Sequence, residues 1–319
     1  MAVVLVDAAQ AKPNEIAIRD SSLTMTWAEL NSAINRVVNN LKPRDLGPNR
    51  RIAVYAENSL ETALAHMAAL HAGLSSVPVN FHLNAEEAAY ILNDSGTRLL
   101  FTGPENLARA VDAVSQLSSP IPIVVWRGEG TLPSGVESFE ALMASSSDAE
   151  PVDDVAPRPN MLYTSGTTGF PKGVDLPPTM FAGGKNISEH VAVLATNRFA
   201  SLGVHIVVGP MYHTGPLSGV RILATGTPVV ILEKFDPERT LAKIQEFKAA
   251  SSVMVPTHFK RMLDLPAEVR AKYDVSSMKM LSHTGAKCPV DVKKRMVEWF
   301  GPVFVDAYGA TEVGTVCSI

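Results

Sequence analysis

The loop YTSGTTGFPKGV at residues 163–174 carries the strongest chemical pattern in the sequence. Its glycines let the backbone approach a ligand closely. Exposed backbone N–H groups, hydroxyl donors and a compact cation are what a polyphosphate requires. The residues concerned are Thr164, Ser165, Gly166, Thr167, Thr168, Gly169 and Lys172. The spacing matches neither a Walker loop nor a dinucleotide-binding turn. It predicts another kind of phosphate site, with a plain Ser/Thr/Gly surface loop as the alternative.

Other side chains that could take part in chemistry are ambiguous on their own. Tyr308 fits a core tyrosine at a strand end, and Thr311-Glu312 fits a helix cap followed by a first-turn acid. A lone histidine such as His213 is more often a satisfied polar group than a functional one. The remaining histidines show no zinc-ligand spacing, so no zinc site is predicted. The two cysteines, Cys288 and Cys317, form no motif, which favours a reducing, cytoplasmic compartment.

The composition argues against several classes of protein. The 319 residues are 46% hydrophobic and 19% charged, enough to bury a substantial core. A net charge of -4 gives no electrostatic case for a nucleic-acid partner. No run of 18 apolar residues predicts a transmembrane helix. The N-terminal MAVVLVDAAQ lacks a basic lead and is read as a helix start rather than a signal peptide.

Strands and helices alternate along the chain, which predicts parallel sheets with helices on their faces. Asn58 with Glu61, Asn84, and Asp236 with Pro237 mark expected helix starts. A Ser-, Asp- and Pro-rich stretch at 144–159 is read as a surface linker. An amphipathic helix is expected over 289–300. Strands are expected at 52–56, 77–80, 98–102, 121–126, 160–164, 205–208, 229–232, 252–255, 278–282 and 303–306.

The loop at 163–174 resembles the signature loop of the adenylate-forming (AMP-binding) superfamily, which includes acyl-CoA synthetases, luciferases and adenylation domains. Other segments are similar to the same family: MTWAEL at 25–30, ENSLETALAHMAALHAG at 57–73, PMYHTGP at 210–216, VPTHFKRML at 255–263, HTGAKCP at 283–289 and VDAYGATEVG at 305–314. The resemblance extends along essentially the whole chain. It implies that a carboxylate attacks the α-phosphate of ATP, and that a thiol, usually coenzyme A, then displaces AMP.

The resemblance also implies roles for individual residues. The hydroxyls of the loop and Lys172 would hold the β- and γ-phosphates, and Tyr308 would stack on adenine. Glu312, with Thr164, would hold Mg²⁺, which prefers one or two carboxylates beside substrate phosphates. The other residues implied at the nucleotide and acyl site are Gly285, Ala286, Asp306, Gly309 and Thr311. His213 would orient or gate the carboxylate, and we expect His213, Thr311 and Glu312 to be catalytic.

For the fold, the resemblance implies two doubly wound, mainly parallel sheets in αβαβα layers. One subdomain is expected over 51–190 and the other over 1–50 plus 191–319. ATP and the acyl group are expected between them, at the carboxyl ends of the strands. Family members continue into a small β-barrel and a C-terminal lid, both absent from this sequence. We therefore expect these residues alone to be inactive, and to dimerise or dissolve poorly through an exposed sheet edge.

The identity of the acyl substrate stays open. Gly215, Gly219 and Gly309 suggest room for a bulky or long chain, which favours a fatty-acid or related acyl-CoA ligase. One alternative is an adenylation domain that loads a carrier-protein thiol, or an aryl-acid ligase. Another is a catalytically inactive nucleotide-binding module.

Overall fold

The computed structural model describes residues 5–164, 170–175, 184–312 and 314–318 of the chain. Within these residues the helices are α1 (Val6–Ala11), α2 (Trp27–Leu41), α3 (Leu60–His71), α4 (Ala85–Ser95), α5 (Leu107–Ser115), α6 (Phe139–Ser145), α7 (Ile187–Leu194), α8 (Thr214–Arg221), α9 (Pro237–Phe247), α10 (Pro256–Leu263), α11 (Ala267–Arg270) and α12 (Val290–Phe300). The strands are β1 (Ile16–Arg19), β2 (Thr24–Thr26), β3 (Arg51–Tyr55), β4 (Ser75–Pro78), β5 (Leu100–Thr102), β6 (Ile123–Val125), β7 (Val136–Ser138), β8 (Leu162–Thr164), β9 (Lys172–Val174), β10 (His205–Val207), β11 (Val229–Ile231), β12 (Ser251–Met254), β13 (Met280–His283), β14 (Phe304–Ala310) and β15 (Gly314–Ser318).

The strands form two large sheets and a hairpin. An eight-stranded sheet has the order β15-β14-β13-β12-β10-β11-β1-β2, and a five-stranded sheet has the order β4-β3-β5-β6-β7. The five-stranded sheet is parallel throughout, and the eight-stranded sheet is parallel from β14 to β1. Its outer strands β15 and β2 pair antiparallel, as do β8 and β9 in the hairpin. Every strand predicted from the sequence is confirmed, with ends shifted by a few residues.

The core lies in three layers, which confirms the predicted αβαβα arrangement. The central layer between the sheets contains α2 and α3, and its apolar side chains form one continuous cluster with both sheets. Helices α9, α10 and α12 cover the other face of the eight-stranded sheet. Helices α4 and α5 cover the outer face of the five-stranded sheet. Because α3 is covered on all sides, every residue from Leu60 to His71 is buried, and most of these residues are apolar.

Two predicted helix starts are confirmed and one is wrong. Asn84 begins α4 with a full capping box to Glu87, and Asp236 caps α9 by accepting from the backbone N–H of Arg239. At α3, however, Ser59 rather than Asn58 is the capping residue. The Asn58 side chain instead donates to the carbonyls of Gly209 and Leu232, at 2.8 and 3.1 Å, and accepts from Met211 N–H at 2.8 Å. Asn58 therefore ties the loop after β3 to the ends of β10 and β11 in the other sheet.

The predicted linker at 144–159 begins in the last turn of α6 and contains no strand, but hydrogen bonds hold it in place. The side chain of Arg36 on α2 donates to the carbonyls of Met143 and Ser146, and that of Asn39 donates to Ser147 and Ala149. These bonds hold the segment along α2. The predicted division of the chain after residues 50 and 190 stays a prediction. None of the helices in the described ranges is long and apolar enough to cross a membrane.

Candidate active site

The carboxyl ends of the parallel strands in the eight-stranded sheet lie along one edge, because parallel strands end on the same side. Strands β10, β13 and β14 end there, and many of the predicted site residues lie on the last part of β14 or in the loops and turn that follow these strands. These residues are His213, Gly285, Ala286, Asp306, Tyr308, Gly309, Thr311 and Glu312. The topology therefore brings three separate sequence motifs to a single edge.

His213 follows β10 and occupies the position just before the first turn of α8. Its backbone N–H donates to Pro210 at 3.0 Å, and its exposed ring lies 4.4 Å from the ring of Tyr212. Tyr212 in turn meets Phe81 edge to face at 5.4 Å, so an aromatic contact joins this loop to the one after β4. Desolvation by the surrounding chain lowers the pKa of His213. A helix N-terminus also disfavours a cation, so both effects favour the neutral imidazole.

The loop after β13 presents Gly285 and Ala286 to solvent. Gly285 has a φ of +83°, a conformation that side-chain-bearing residues adopt rarely. The nearest atom to a Cβ added at Gly285 would be a methyl of Val255, 3.7 Å away, so the surface beside it is open. This loop can therefore accept a flat ligand group against its backbone.

The β14–β15 hairpin follows the loop after β13 and contains Asp306, Tyr308, Gly309, Thr311 and Glu312. The side chain of Tyr308 is exposed, with 71% of the residue accessible, so it is not a core tyrosine. Thr311 and Glu312 lie in the turn between the two strands, so the alternative reading of a helix cap is wrong. Glu312 is exposed, whereas Thr311 is half-buried. An aromatic face, a hydroxyl and a carboxylate are thus presented together to solvent.

Asp306, near the start of this hairpin, belongs to a polar cluster that the sequence did not predict. Its Oδ1 contacts both Nζ of Lys293 on α12 and Nε2 of His283 at the end of β13. Lys293 Nζ also lies 2.8 Å from His283 Nε2. His283 is buried, and this burial, with the charge of Lys293, lowers its pKa. A signal existed in the sequence, since Lys293 lies three residues before Met296 on the apolar stripe of an amphipathic helix.

The phosphate-loop motif is carried by the β8–β9 hairpin. Thr164 and Lys172 are paired across the hairpin, so the predicted loop is closed at its base by these two residues. Thr164 is half-buried and Lys172 is exposed. Ser165, Gly166, Thr167, Thr168 and Gly169 lie outside the described residues. The structure thus describes the two ends of the predicted loop, Thr164 and Lys172, and places them side by side.

Three contacts fix this hairpin on the five-stranded sheet and α4. The hydroxyl of Tyr163 donates to Asp94 at 2.6 Å, and the ring of Phe170 stacks on Tyr90 at 4.8 Å. At the other end, Asp175 forms an ion pair with Arg51 at 2.5 Å. Because Arg51 begins β3, Asp175 marks the amino end of the sheet. The opposite end of the hairpin, with Thr164 and Lys172, therefore points toward the carboxyl ends of β3 and β4.

An ion cluster at the same edge holds the two sheets together. Arg127, which follows β6, binds Glu61 on α3 through two hydrogen bonds of 2.7 and 2.9 Å. The same guanidinium lies 3.7 Å from Asp20, which follows β1 and accepts from the N–H of Leu60 at 2.8 Å. These charged side chains link the end of β6 in one sheet to the end of β1 in the other, through Glu61 on α3. Together with Asn58 they bring the hairpin and the β14–β15 motif to the same edge, although no hydrogen bond links these two motifs within the described residues.

A cavity of about 720 Å³ lies elsewhere, between α1, α7 and the segment 224–228. This segment precedes β11, so the cavity opens at the amino ends of the strands. None of the predicted site residues that the structure describes lines it. We place the candidate site at the carboxyl edge because the chemically suitable side chains are there.

The comparisons with known proteins identify one family. The family described as AMP-binding enzyme matches residues 5–319. The chain is 29% identical to the indoleacetate–CoA ligase of Aromatoleum aromaticum, over 94% of this chain and 58% of that protein. It is 30% identical to the fatty acid–[acyl-carrier-protein] ligase ScoC of Streptomyces coeruleorubidus, over 96% of this chain and 57% of that protein. The chain therefore spans less than two thirds of the length of these relatives.

Among solved structures, the fold is similar to the N-terminal domain of FACL13 from Mycobacterium tuberculosis, which was determined with an inhibitor bound. The TM-score is 0.76 at 24% identity, covering 97% of this chain and 75% of that chain. At this level of identity the likeness establishes the fold alone. It agrees with the layered sheets described above.

Proposed function

This chain belongs to the AMP-binding enzyme family, and on that premise we propose that it forms the nucleotide-binding part of an ATP-dependent acyl-CoA ligase. A carboxylate substrate would attack the α-phosphate of ATP, which forms an acyl-adenylate and releases pyrophosphate. The thiol of coenzyme A would then displace AMP to give a thioester. Positioning and charge stabilisation carry most of the catalysis in such transfers.

The observation that carries this proposal is the convergence of the motifs on one edge. Tyr308 offers an exposed aromatic face for adenine, and Asp306 offers a carboxylate on the same face of β14, two residues away. Gly285 and Ala286 would form the opposite wall, and Gly309 would let the backbone approach the nucleotide. Thr311 would contact the α-phosphate, and His213 would orient the acyl carboxylate. The β8–β9 hairpin, from Thr164 to Lys172, would hold the β- and γ-phosphates.

Mg²⁺ fits the side chains at this edge only in company with the nucleotide. No group of three or more histidine, cysteine or acidic residues that could hold a metal occurs within the described ranges. Mg²⁺ is commonly held by one or two carboxylates plus substrate phosphates. Glu312, exposed in the hairpin turn, would supply the carboxylate, with the Thr164 hydroxyl as a further oxygen. When bound, the ion would neutralise charge on the phosphates.

Gly215 and Gly219, which suggested a roomy acyl pocket in the sequence, do not define the acyl substrate. A Cβ added at Gly219 would lie 2.4 Å from Nε2 of the buried His205, and one at Gly215 would lie 2.9 Å from Val253. These glycines let α8 pack closely on β10 and β12, so they do not mark empty space. A fatty acid stays part of the proposal. It is supported by the relative ScoC, whose name gives a fatty acid as its substrate.

The same relative favours a second candidate function, since its name gives an acyl-carrier protein as acceptor. Coenzyme A is preferred because the first relative is a CoA ligase.

The proposal also includes a cytoplasmic location, supported by the free thiols of Cys288 and Cys317. It further includes a homodimer, supported by the exposed edge strand β15, on which Val316 is 61% accessible.

The test is pyrophosphate release with ATP, Mg²⁺ and a panel of carboxylic acids, by this chain and by a C-terminally extended form. We expect the extended form to release pyrophosphate with particular acids and to make a thioester with coenzyme A. Thioester formed only on a carrier protein would favour the second candidate. Nucleotide binding without turnover in both forms would favour an inactive nucleotide-binding module. Absence of both binding and turnover would overturn the proposed function.

A further inference from the structure

The cluster of His283, Lys293 and Asp306 is built from three different elements and held firmly on each side. His283 is 4% accessible and meets the ring of Phe259 edge to face at 5.3 Å. The Lys293 ammonium lies 5.5 Å from the centre of the Phe304 ring, within the range of a cation–π contact. The lysine is therefore fixed by its own surroundings as well as by its partners. A mobile surface lysine would have neither contact.

Only one oxygen of Asp306 is used by this cluster. Both Lys293 and His283 contact Oδ1, and the Asp306 side chain is 48% accessible. The lysine has three N–H donors, enough to serve the carboxylate and the imidazole together. Because both contacts fall on Oδ1 and nearly half of the side chain is accessible, Oδ2 is the oxygen left to accept a hydrogen bond from a ligand.

We propose that Lys293, itself held in place by His283, is a positioning residue for Asp306, and that it leaves Oδ2 free to accept a hydrogen bond from the exocyclic amino group of adenine. This inference rests on the proposed function, because it requires the base to lie against Tyr308. Asp306 and Tyr308 are two residues apart on β14 and face the same side. A base stacked on the tyrosine would thus present its edge toward the carboxylate.

The positioning matters because a hydrogen bond contributes fully only when its acceptor is already in place. A carboxylate without its counter-charge would turn toward water and would be costly to desolvate. Lys293 removes both costs, since it fixes the orientation and offsets the charge. The consequence is selectivity for a base that carries an amino group.

The test compares the binding of AMP with that of purine riboside monophosphate, an analogue that lacks only the amino group. A hydrogen bond to a charged group predicts that the wild type binds AMP about tenfold or more tightly than the analogue. Lys293→Met is expected to bring this ratio to within about threefold, in line with the loss of that bond. Lys294→Met, a change at the exposed neighbouring lysine, is the matched control and should keep the wild-type ratio. Should Lys293→Met fail to fold, Lys293→Gln serves, with at least a roughly threefold fall expected.

A double-variant comparison separates positioning from general structure. Asp306→Ala should abolish the preference, and adding Lys293→Met to it should change the ratio no further, because the lysine acts through the aspartate. A wild-type ratio in folded Lys293→Met or Lys293→Gln would overturn the inference, as would an equal fall in Lys294→Met. Wild-type protein that binds AMP and the analogue equally would overturn the inference while leaving the proposed function standing. Wild-type protein that binds neither nucleotide would overturn the proposed function itself.

Discussion

Lys172 is the cation at the base of the predicted phosphate loop, and its exposed side chain is free to reach a ligand. If it contacts the γ-phosphate, Lys172→Ala should weaken ATP binding by about 1.5–3 kcal/mol, the range for a hydrogen bond to a charged group. AMP lacks that phosphate and should bind almost unchanged. Isothermal titration calorimetry with both nucleotides measures the difference. Lys185→Ala, at an exposed lysine beyond the hairpin, is the control, and equal losses for ATP and AMP would contradict the assignment.

Glu312 is the acidic residue in the β14–β15 turn, at the edge where the phosphates are expected. Glu312→Gln keeps the size of the side chain but removes the charge that Mg²⁺ requires. We expect ATP binding to lose most of its dependence on Mg²⁺, whereas metal-free AMP binding should persist. Removal of Mg²⁺ with a chelator should weaken ATP binding to the wild type and have little effect on the variant. An unchanged magnesium dependence in Glu312→Gln would contradict the role.

At the scale of elements, the β8–β9 hairpin depends on its anchor to α4. Burial, together with the Asp94 carboxylate, raises the pKa of Tyr163 above its ordinary value, so the phenol stays protonated and donates. Tyr163→Phe should lower the free energy of unfolding by about 1 kcal/mol. It should also weaken ATP binding more than AMP binding, because β8 leads directly into the phosphate loop.

A matched control for this prediction exists in the same chain. The hydroxyl of Tyr273 donates to Glu238 on α9 at 2.9 Å, in a part of the chain separate from the β8–β9 hairpin. Tyr273→Phe removes a chemically similar bond and should leave the affinity for ATP unchanged. If both variants weaken ATP binding alike, the anchor has no special connection with the phosphate loop.

At the scale of the whole molecule, the fold depends on how the two sheets are joined. Asn58 is 4% accessible and makes three hydrogen bonds to backbone groups of the other sheet. Asn58→Ala would leave those buried groups without partners, at a cost of roughly 1–3 kcal/mol each before relaxation. We expect a loss of about 3 kcal/mol in the free energy of unfolding, measured by denaturant titration.

Asn84→Ala provides the comparison, since it removes an exposed helix cap of the same residue type. Loss of such a cap typically costs about 1 kcal/mol. A smaller loss for Asn58→Ala than for Asn84→Ala would show that Asn58 contributes little to joining the two sheets.

Local patterns determined much of this protein. The alternation of strands and helices, the glycine-rich loop, and the caps at Asn84 and Asp236 are all relations between residues close together in the chain. Parallel strands must end on one side, so the placing of His213 and Tyr308 at one edge also follows from their positions, His213 after a strand and Tyr308 near the end of one. These features need only backbone geometry and the periodicity of side chains, which a sequence contains directly.

The tertiary structure alone decided which distant residues become partners. Asn58 has the residue type and position of a helix cap, but its partners lie about 150 residues away in the sequence, where local spacing gives no information. Lys293 shows an apolar-stripe position in the sequence, yet only the packing of α12 on β13 and β14 brings it to Asp306. Gly219 likewise faces His205 because α8 packs against β10. Periodicity identifies the face on which a side chain lies, whereas its partner depends on how the layers are stacked.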